Sequence, residues 1–147
     1  MIFSKNDDQY ASFELVHDAD GKVWIYAQAD GALVADTPYL IIGNEYGPIT
    51  MDIASGAQYC YVGVAAKAWD DGDIAKLQVG GLYEDMITSS IAVAIGNSLT
   101  LIGGVVADGA ADYTGLVSEF AVCATTTGSA ATTQDAMLIP ERILTTA

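Results

Sequence analysis

The chain is cut into short apolar segments by closely spaced turn signals, and this spacing leaves little room for helices. Each signal combines Gly with Asp, Asn or a second Gly, at residues 18–21, 30–31, 43–44, 70–73, 80–81 and 96–97. The segments between them carry β-branched and aromatic residues with a period of two. In residues 22–28, for example, Val23, Ile25 and Ala27 alternate with Trp24 and Tyr26. The pattern predicts an all-β fold.

The same reading places the strands and limits the helices. Strands are predicted at residues 12–16, 22–28, 39–42, 59–64, 74–79, 82–87, 91–95, 99–106, 115–124 and 136–139. Turns at 17–21 and 30–31 predict an N-terminal meander over residues 11–35. At most one or two short helices are expected, with residues 118–124 and 50–56 as the candidates. We expect one compact β-barrel or sandwich-like domain over residues 11–147, preceded by an N-terminal arm, residues 1–10.

Charge excludes several kinds of partner. Nineteen acidic residues stand against five basic ones, so the formal net charge is −14. Nucleic-acid binding and attachment to anionic membranes both need basic clusters, and neither is expected here.

The first ten residues include Lys5, Asp7 and Asp8 and no apolar stretch, so no signal peptide is predicted. We therefore expect a protein that is made in the cytoplasm.

The two cysteines, Cys60 and Cys123, lie in apolar segments without a CxxC motif. Reduced core thiols are the favoured interpretation for a protein made in the cytoplasm. A disulfide between them stays open, because it requires a short Cα–Cα distance that spacing along the chain does not reveal.

No constellation typical of an enzyme is present. His17 adjoins Asp18, but no nucleophile motif accompanies the pair, and a solvated turn histidine is favoured. The segment from Asp18 begins like a calcium loop but has Ala29 where an EF-hand needs Glu. The acidic turn at residues 70–73 is interpreted as a turn, with cation binding left open. No phosphate-cradling motif accompanies the Gly pairs, so neither a metal nor a cofactor is expected.

Aromatic residues form two pairs at strand spacing. Trp24 and Tyr26 share one face of a predicted strand, and Tyr59 and Tyr61 share a face of another. Such pairs occur in protein interfaces and in carbohydrate-binding modules. Packing in the core or an oligomer interface formed by these four residues is the favoured hypothesis, and a sugar-binding surface is its competitor.

Several segments within residues 62–139 form a recurring pattern of turns and strands. They are Val62-Gly63-Val64-Ala65, the acidic turn at 70–73 followed by residues 77–84, then AVAIGNSLTL at 92–101, and the segments 115–122 and 136–139. In this pattern the sequence resembles small phage head decoration proteins. The resemblance implies a compact β fold without catalytic residues. It also implies a homotrimer that binds the major capsid protein on the outside of the virion and stabilises the expanded shell.

The N-terminal arm lies outside that resemblance. Its Ile2, Phe3 and Tyr10 are apolar anchors in an otherwise polar segment, so we expect the arm to contact a neighbouring capsid subunit, for instance by strand addition. Two other classes compete with a decoration protein, namely a phage tail or fibre component and a carbohydrate-binding β module.

Overall fold

The computed structural model describes residues 15–42, 48–50, 59–88, 92–102, 105–108, 116–128 and 132–146. Every regular element within these ranges is a β-strand, which confirms the predicted all-β fold. The strands are β1 (Val16–His17), β2 (Val23–Ala29), β3 (Thr37–Ile42), β4 (Pro48–Thr50), β5 (Tyr59–Ala65), β6 (Ile74–Ile87), β7 (Ser98–Ile102), β8 (Val105–Asp108), β9 (Leu116–Cys123) and β10 (Thr133–Thr146).

The ten strands form one connected sheet in the order β1-β2-β4-β3-β5-β6-β10-β9-β7-β8. All pairings are antiparallel except that between β2 and β4. β2 also pairs with the first half of β6, so β6 is hydrogen-bonded to the N-terminal strand β2 as well as to its sheet neighbours β5 and β10. The sheet as a whole ends at β1 and β8 and does not close into a barrel.

Two hydrophobic cores lie on opposite sides of β5. The N-terminal core contains Val23, Ile25, Ala27, Ala29, Leu33, Tyr39, Ile41, Ala65, Ala75, Leu77 and Val79. The C-terminal core contains Val62, Val64, Tyr83, Met86, Val93, Leu99, Val106, Phe120, Ala121, Cys123, Ala136 and Leu138. Successive side chains of a strand point to opposite faces, so Val64 enters one core and Ala65 the other. Both faces of β5 are therefore covered, and the two cores share this strand.

β6 also serves both cores, and it changes partners at its glycine pair. Residues 74–80 pair with β2, whereas residues 81–87 pair with β10. Gly81 has a φ of +87° at the point of change. The turn expected at Gly80-Gly81 is thus a change of partners within one continuous strand, not a break between two.

The predicted helix at residues 118–124 is wrong, because residues 118–123 belong to β9. This strand pairs with β10 on one side and β7 on the other. An isolated amphipathic pattern does not distinguish a short helix from a strand that is hydrogen-bonded on both edges. The other candidate, 50–56, begins at the last residue of β4, and residues 51–56 lie outside the described part.

The second hairpin of the predicted meander is also wrong. The first hairpin exists, with Val16 opposite Trp24. At the second turn, however, the Gly31 amide donates to the Asp71 carboxylate at 2.8 Å. Leu33 then forms a bridge with Trp69. The chain after β2 therefore follows the 66–73 loop, because the edges of β2 are taken by β1, β4 and β6.

Residues 92–95 are likewise not a strand, although the sequence predicts one at 91–95. Val93 is buried and forms a single bridge with Thr127. The chain then turns at once, with the Asn97 amide donating to the Ala94 carbonyl and Gly96 at a φ of +88°. Because the chain turns this early, the segment is too short to form a series of strand hydrogen bonds.

A β-bulge in β6 makes the first testable prediction. Gln134 lies opposite Met86 and Ala136 opposite Tyr83, so β6 carries one extra residue there. Asp85 in this bulge has a φ of 56°, and its amide donates to the Asp135 carboxylate. Replacing Asp85 with Gly removes the left-handed strain, so we expect Asp85→Gly to raise the free energy of unfolding by about 0.5 kcal/mol.

Urea unfolding measures this change, and Glu84→Gly is the matched control. Glu84 is the exposed neighbour in the same strand and has no positive φ, so Gly there is expected to cost about 0.5–1 kcal/mol. Equal destabilisation by both variants would contradict the bulge assignment.

Candidate functional site

An open pocket of about 470 Å³ lies between the β1–β2 hairpin and the middle of β6. Its lining combines carboxylates, a lysine, an amide, two aromatic rings and small or apolar side chains, namely Asp20, Lys22, Trp24, Asp36, Ala66, Gln78, Leu82, Tyr83 and Glu84. Five of these nine side chains are charged or carry an amide, so the pocket is more polar than most small-molecule sites.

The most deeply buried member of the lining is Gln78, whose residue is only 1% exposed. It lies opposite Trp24 on β2 and Val64 on β5. Its side-chain nitrogen donates to the carbonyls of Gly80 and Leu82, each at 3.0 Å. These two bonds fix the orientation of the side-chain amide against the backbone of β6.

A tyrosine–carboxylate pair forms another wall. The Tyr83 hydroxyl donates to Asp36 Oδ1 at 2.6 Å. Burial, together with the adjacent carboxylate, raises the pKa of Tyr83 well above its ordinary value of 10.0. The phenol therefore stays protonated at neutral pH and acts as a fixed hydrogen-bond donor.

The backbone holds Asp36 in place. Its φ is 60°, a conformation that costs energy for a non-glycine residue. The Asp36 amide donates to the Ala65 carbonyl at 2.6 Å, and its carbonyl accepts from the Ile87 amide at 2.8 Å. These bonds tie the loop before β3 to both β5 and β6.

Asp18 orders the hairpin that forms the opposite wall. Its carboxylate accepts hydrogen bonds from the Trp24 indole nitrogen and from the backbone amides of Asp20 and Lys22, all at 2.9 Å. The bond from Trp24 is the main cause that lowers the pKa of Asp18 below its ordinary value of 3.8. The Lys76 ammonium lies 4.2 Å from the centroid of the Trp24 ring.

This arrangement predicts an acid-dependent signal from Trp24. The carboxylate is stabilised in the folded state, so its contribution is complete above pH 3.8 and is lost as the pH falls through the lower folded-state pKa. We expect the Trp24 indole ¹H–¹⁵N resonance to move in that acidic range as the bond to Asp18 is lost.

The Asp18→Asn variant is the control, since its side chain has no titrating proton and its Trp24 resonance should not follow that titration. Trp69 is an internal reference, because its buried indole nitrogen has no hydrogen-bond partner. A Trp24 resonance that titrates identically in Asp18→Asn would contradict the assignment.

The structure describes the side chains of three of the four aromatic residues in the predicted oligomer interface. Trp24 and Tyr26 are half-buried on the outer face of β2, opposite Gln78 and Lys76. Tyr61 is half-buried and packs against the N-terminal core. Tyr59 lies on β5, but its side chain is outside the described part, as are the arm residues Ile2, Phe3 and Tyr10.

The other candidates from the sequence have local structural roles. His17 is exposed on β1, while the neighbouring Asp18 carboxylate is bonded within the hairpin. In the acidic turn, Asp71 accepts from the Gly31 amide and Asp73 from the Asp70 amide. Cys123 is a free, buried thiol, and the side chain of Cys60 is outside the described part.

No group of three or more His, Cys, Asp or Glu side chains in the described ranges is placed to hold a metal ion. None of the residues that the structure describes forms a helix long and apolar enough to cross a membrane.

A row of exposed apolar side chains adjoins the pocket, and sequence reasoning missed it. Met137 on β10 lies directly opposite Leu82 on β6 and Val122 on β9, so the three share a face. Leu82 is 41% exposed, Met137 45%, and Val122 is half-buried. We name these three residues the apolar row. The alternation within each segment was visible in the sequence, but the register that aligns the three residues was not.

Comparison with known proteins identifies no family for this chain. No protein-family model matches the chain, and no curated protein is similar enough to count as a match. A solved structure that does match is the N base of the head fiber gp8.5 in bacteriophage phi29. The TM-score is 0.49 at 17% sequence identity, and the match covers 83% of this chain and 98% of that chain.

Proposed function

We propose that this chain is a non-catalytic structural protein of a phage head that binds the outer surface of the capsid as a decoration protein. The observation that carries the proposal is the apolar row, because exposed apolar side chains aligned across neighbouring strands are typical of a protein-binding surface. The row lies within residues 62–139, the part of the sequence that resembles head decoration proteins.

Charge supports a protein partner over other macromolecules. With a net charge of −14, the chain repels nucleic acid and anionic lipid. The same charge keeps a protein present in many copies soluble until it meets its specific surface. The major capsid protein is the partner that this role requires, and the proposed assembly is a homotrimer. Sedimentation equilibrium tests the trimer directly, with a monomer mass of 15.3 kDa as the reference.

Co-sedimentation tests shell binding. The purified protein is mixed with expanded heads of the phage that encodes it, stripped of accessory proteins, and unexpanded heads serve as the control. We expect saturable binding to expanded heads at a fixed ratio to the capsid subunit. Absence of binding to either shell would overturn the proposal and favour a tail or fibre component.

The apolar row makes a prediction of its own. Replacing Leu82 and Met137 with Ser removes exposed apolar area without disturbing either core, so we expect affinity for expanded heads to fall at least about tenfold. The matched control is the double substitution of Val34 and Ile95 by Ser. These two side chains are 55% and 64% exposed and lie outside the row. Equal losses in both double variants would show that the row is not the contact.

The arm is tested separately in the same assay. We expect deletion of residues 1–9 to weaken binding to expanded heads, because Ile2 and Phe3 are then lost as anchors. Binding equal to that of the full chain would remove the arm from the interface and leave the apolar row unaffected.

A further inference from the structure

We propose that the pocket between the β1–β2 hairpin and β6 binds a neutral pyranose sugar, a function beyond the proposed structural role. Three features of the lining lead to this ligand class, namely an indole wall, a buried side-chain amide and three carboxylates. Sugars present hydroxyl groups and apolar C–H faces together, so they need both polar partners and an aromatic or apolar surface.

The polar partners lie at two depths. Gln78 is almost fully buried, and its side-chain amide, whose nitrogen is bonded to two backbone carbonyls, belongs to the lining. Asp20 and Glu84 line the pocket from exposed positions. Amide and carboxylate oxygens accept hydrogen bonds from sugar hydroxyls, and Lys22 supplies a donor in the same pocket.

Charge within the pocket acts against anionic ligands. The lining holds three carboxylates, those of Asp20, Asp36 and Glu84, against one lysine, Lys22, so acidic sugars and phosphates are repelled. Neutral hydroxyl groups avoid that penalty and can donate to the carboxylates. A cationic ligand is the competitor, and the titration below includes one.

The walls of the pocket are held before any ligand arrives. Asp18 fixes the indole of Trp24, and the Tyr83 hydroxyl is bonded to Asp36. A pre-formed site loses less conformational entropy on binding. Its volume of about 470 Å³ falls within the usual range for small-ligand pockets. The site therefore suits one or two sugar rings.

NMR titration of the purified full chain tests the proposal. The probes are the methyl pyranosides of glucose, galactose, mannose and N-acetylglucosamine, together with lactose, cellobiose and chitobiose. We expect at least one probe to shift the Trp24 indole and Gln78 side-chain amide resonances saturably, with a dissociation constant of about 1 mM or tighter. N-acetylarginine amide and glucuronate are the charged comparison ligands.

Glu84→Ala is the deciding variant, because Glu84 is exposed and belongs to neither core. We expect it to weaken sugar binding about tenfold, through the loss of a charged acceptor. Asp70→Ala, an exposed acidic residue outside the pocket, is the matched control and should change affinity less than about twofold. Trp24→Ala should abolish the shifts, with folding checked by the resonances of the C-terminal core.

Three results would overturn the proposal. The first is that no sugar in the set shifts the pocket resonances, and the second is that Glu84→Ala binds as tightly as the parent. The third is stronger binding of a charged comparison ligand than of every neutral sugar. None of these results bears on co-sedimentation with phage heads, so the two proposals fail independently.

Discussion

Leu77→Ala is expected to lower the free energy of unfolding by about 3–4 kcal/mol. Leu77 is fully buried in the N-terminal core, between strands that pair on both sides of β6. Removing its side chain leaves a cavity that the surrounding sheet cannot readily fill. The packing there is already tight, since a Cβ added at Gly63 would lie 2.8 Å from the Leu77 Cβ.

Urea unfolding followed by tryptophan fluorescence measures the change in stability. Leu82→Ala is the matched control, since it makes the same substitution in the same strand at a side chain that is 41% exposed. We expect it to cost less than about 1 kcal/mol. A loss of similar size in both variants would mean that Leu77 does not lie at the centre of a core.

Gly81→Ala is expected to destabilise the fold by about 3 kcal/mol, because two costs combine. The φ of Gly81 is +87°, which is strained for a residue with a side chain. In addition, a Cβ at this position would lie 2.8 Å from the Gly21 carbonyl oxygen and 3.2 Å from the Lys22 Cα. Both atoms belong to backbone that cannot rotate away, so the β1–β2 hairpin would have to move.

Gly72→Ala separates the two costs. Its φ of +86° is nearly the same, but nothing lies within 4 Å of the added Cβ. We expect Gly72→Ala to lower the free energy of unfolding by about 1 kcal/mol, which is the cost of the positive φ alone. The remaining difference measures the contact between β6 and the hairpin. If the two variants were equally destabilised, the contact between β6 and the hairpin would make no contribution to stability.

The Gly81 variant also reports on the pocket. The hairpin that it displaces supplies Asp20, Lys22 and Trp24 to the pocket wall. A Gly81→Ala protein that still folds should therefore bind sugars more weakly than Gly72→Ala, whose substitution lies in a turn outside the pocket. Binding to phage heads through the apolar row should respond less. Leu82 follows the substituted residue, but the other two residues of the row, Met137 and Val122, lie on β10 and β9.

The amino-acid sequence determined the fold class and much of the local structure. Strand alternation in Val23–Ala29 identified the buried and exposed faces correctly, because a strand with one covered face must alternate. The first hairpin and the acidic turn at residues 70–73 were also recognisable. There, Asp side chains cap nearby amides and Gly accepts a positive φ, and both effects act within a few residues.

Tertiary structure alone decided how those strands are assembled. The wrong hairpin at Asp30-Gly31 and the wrong helix at 118–124 have one cause, namely that long-range pairing outweighs a local preference. The pocket and the apolar row arise in the same way. Gln78, Trp24 and Asp36 are far apart in sequence, and Leu82, Met137 and Val122 meet only through the register of three strands. Register depends on which strand faces which, and that is a property of the whole sheet and of no single segment.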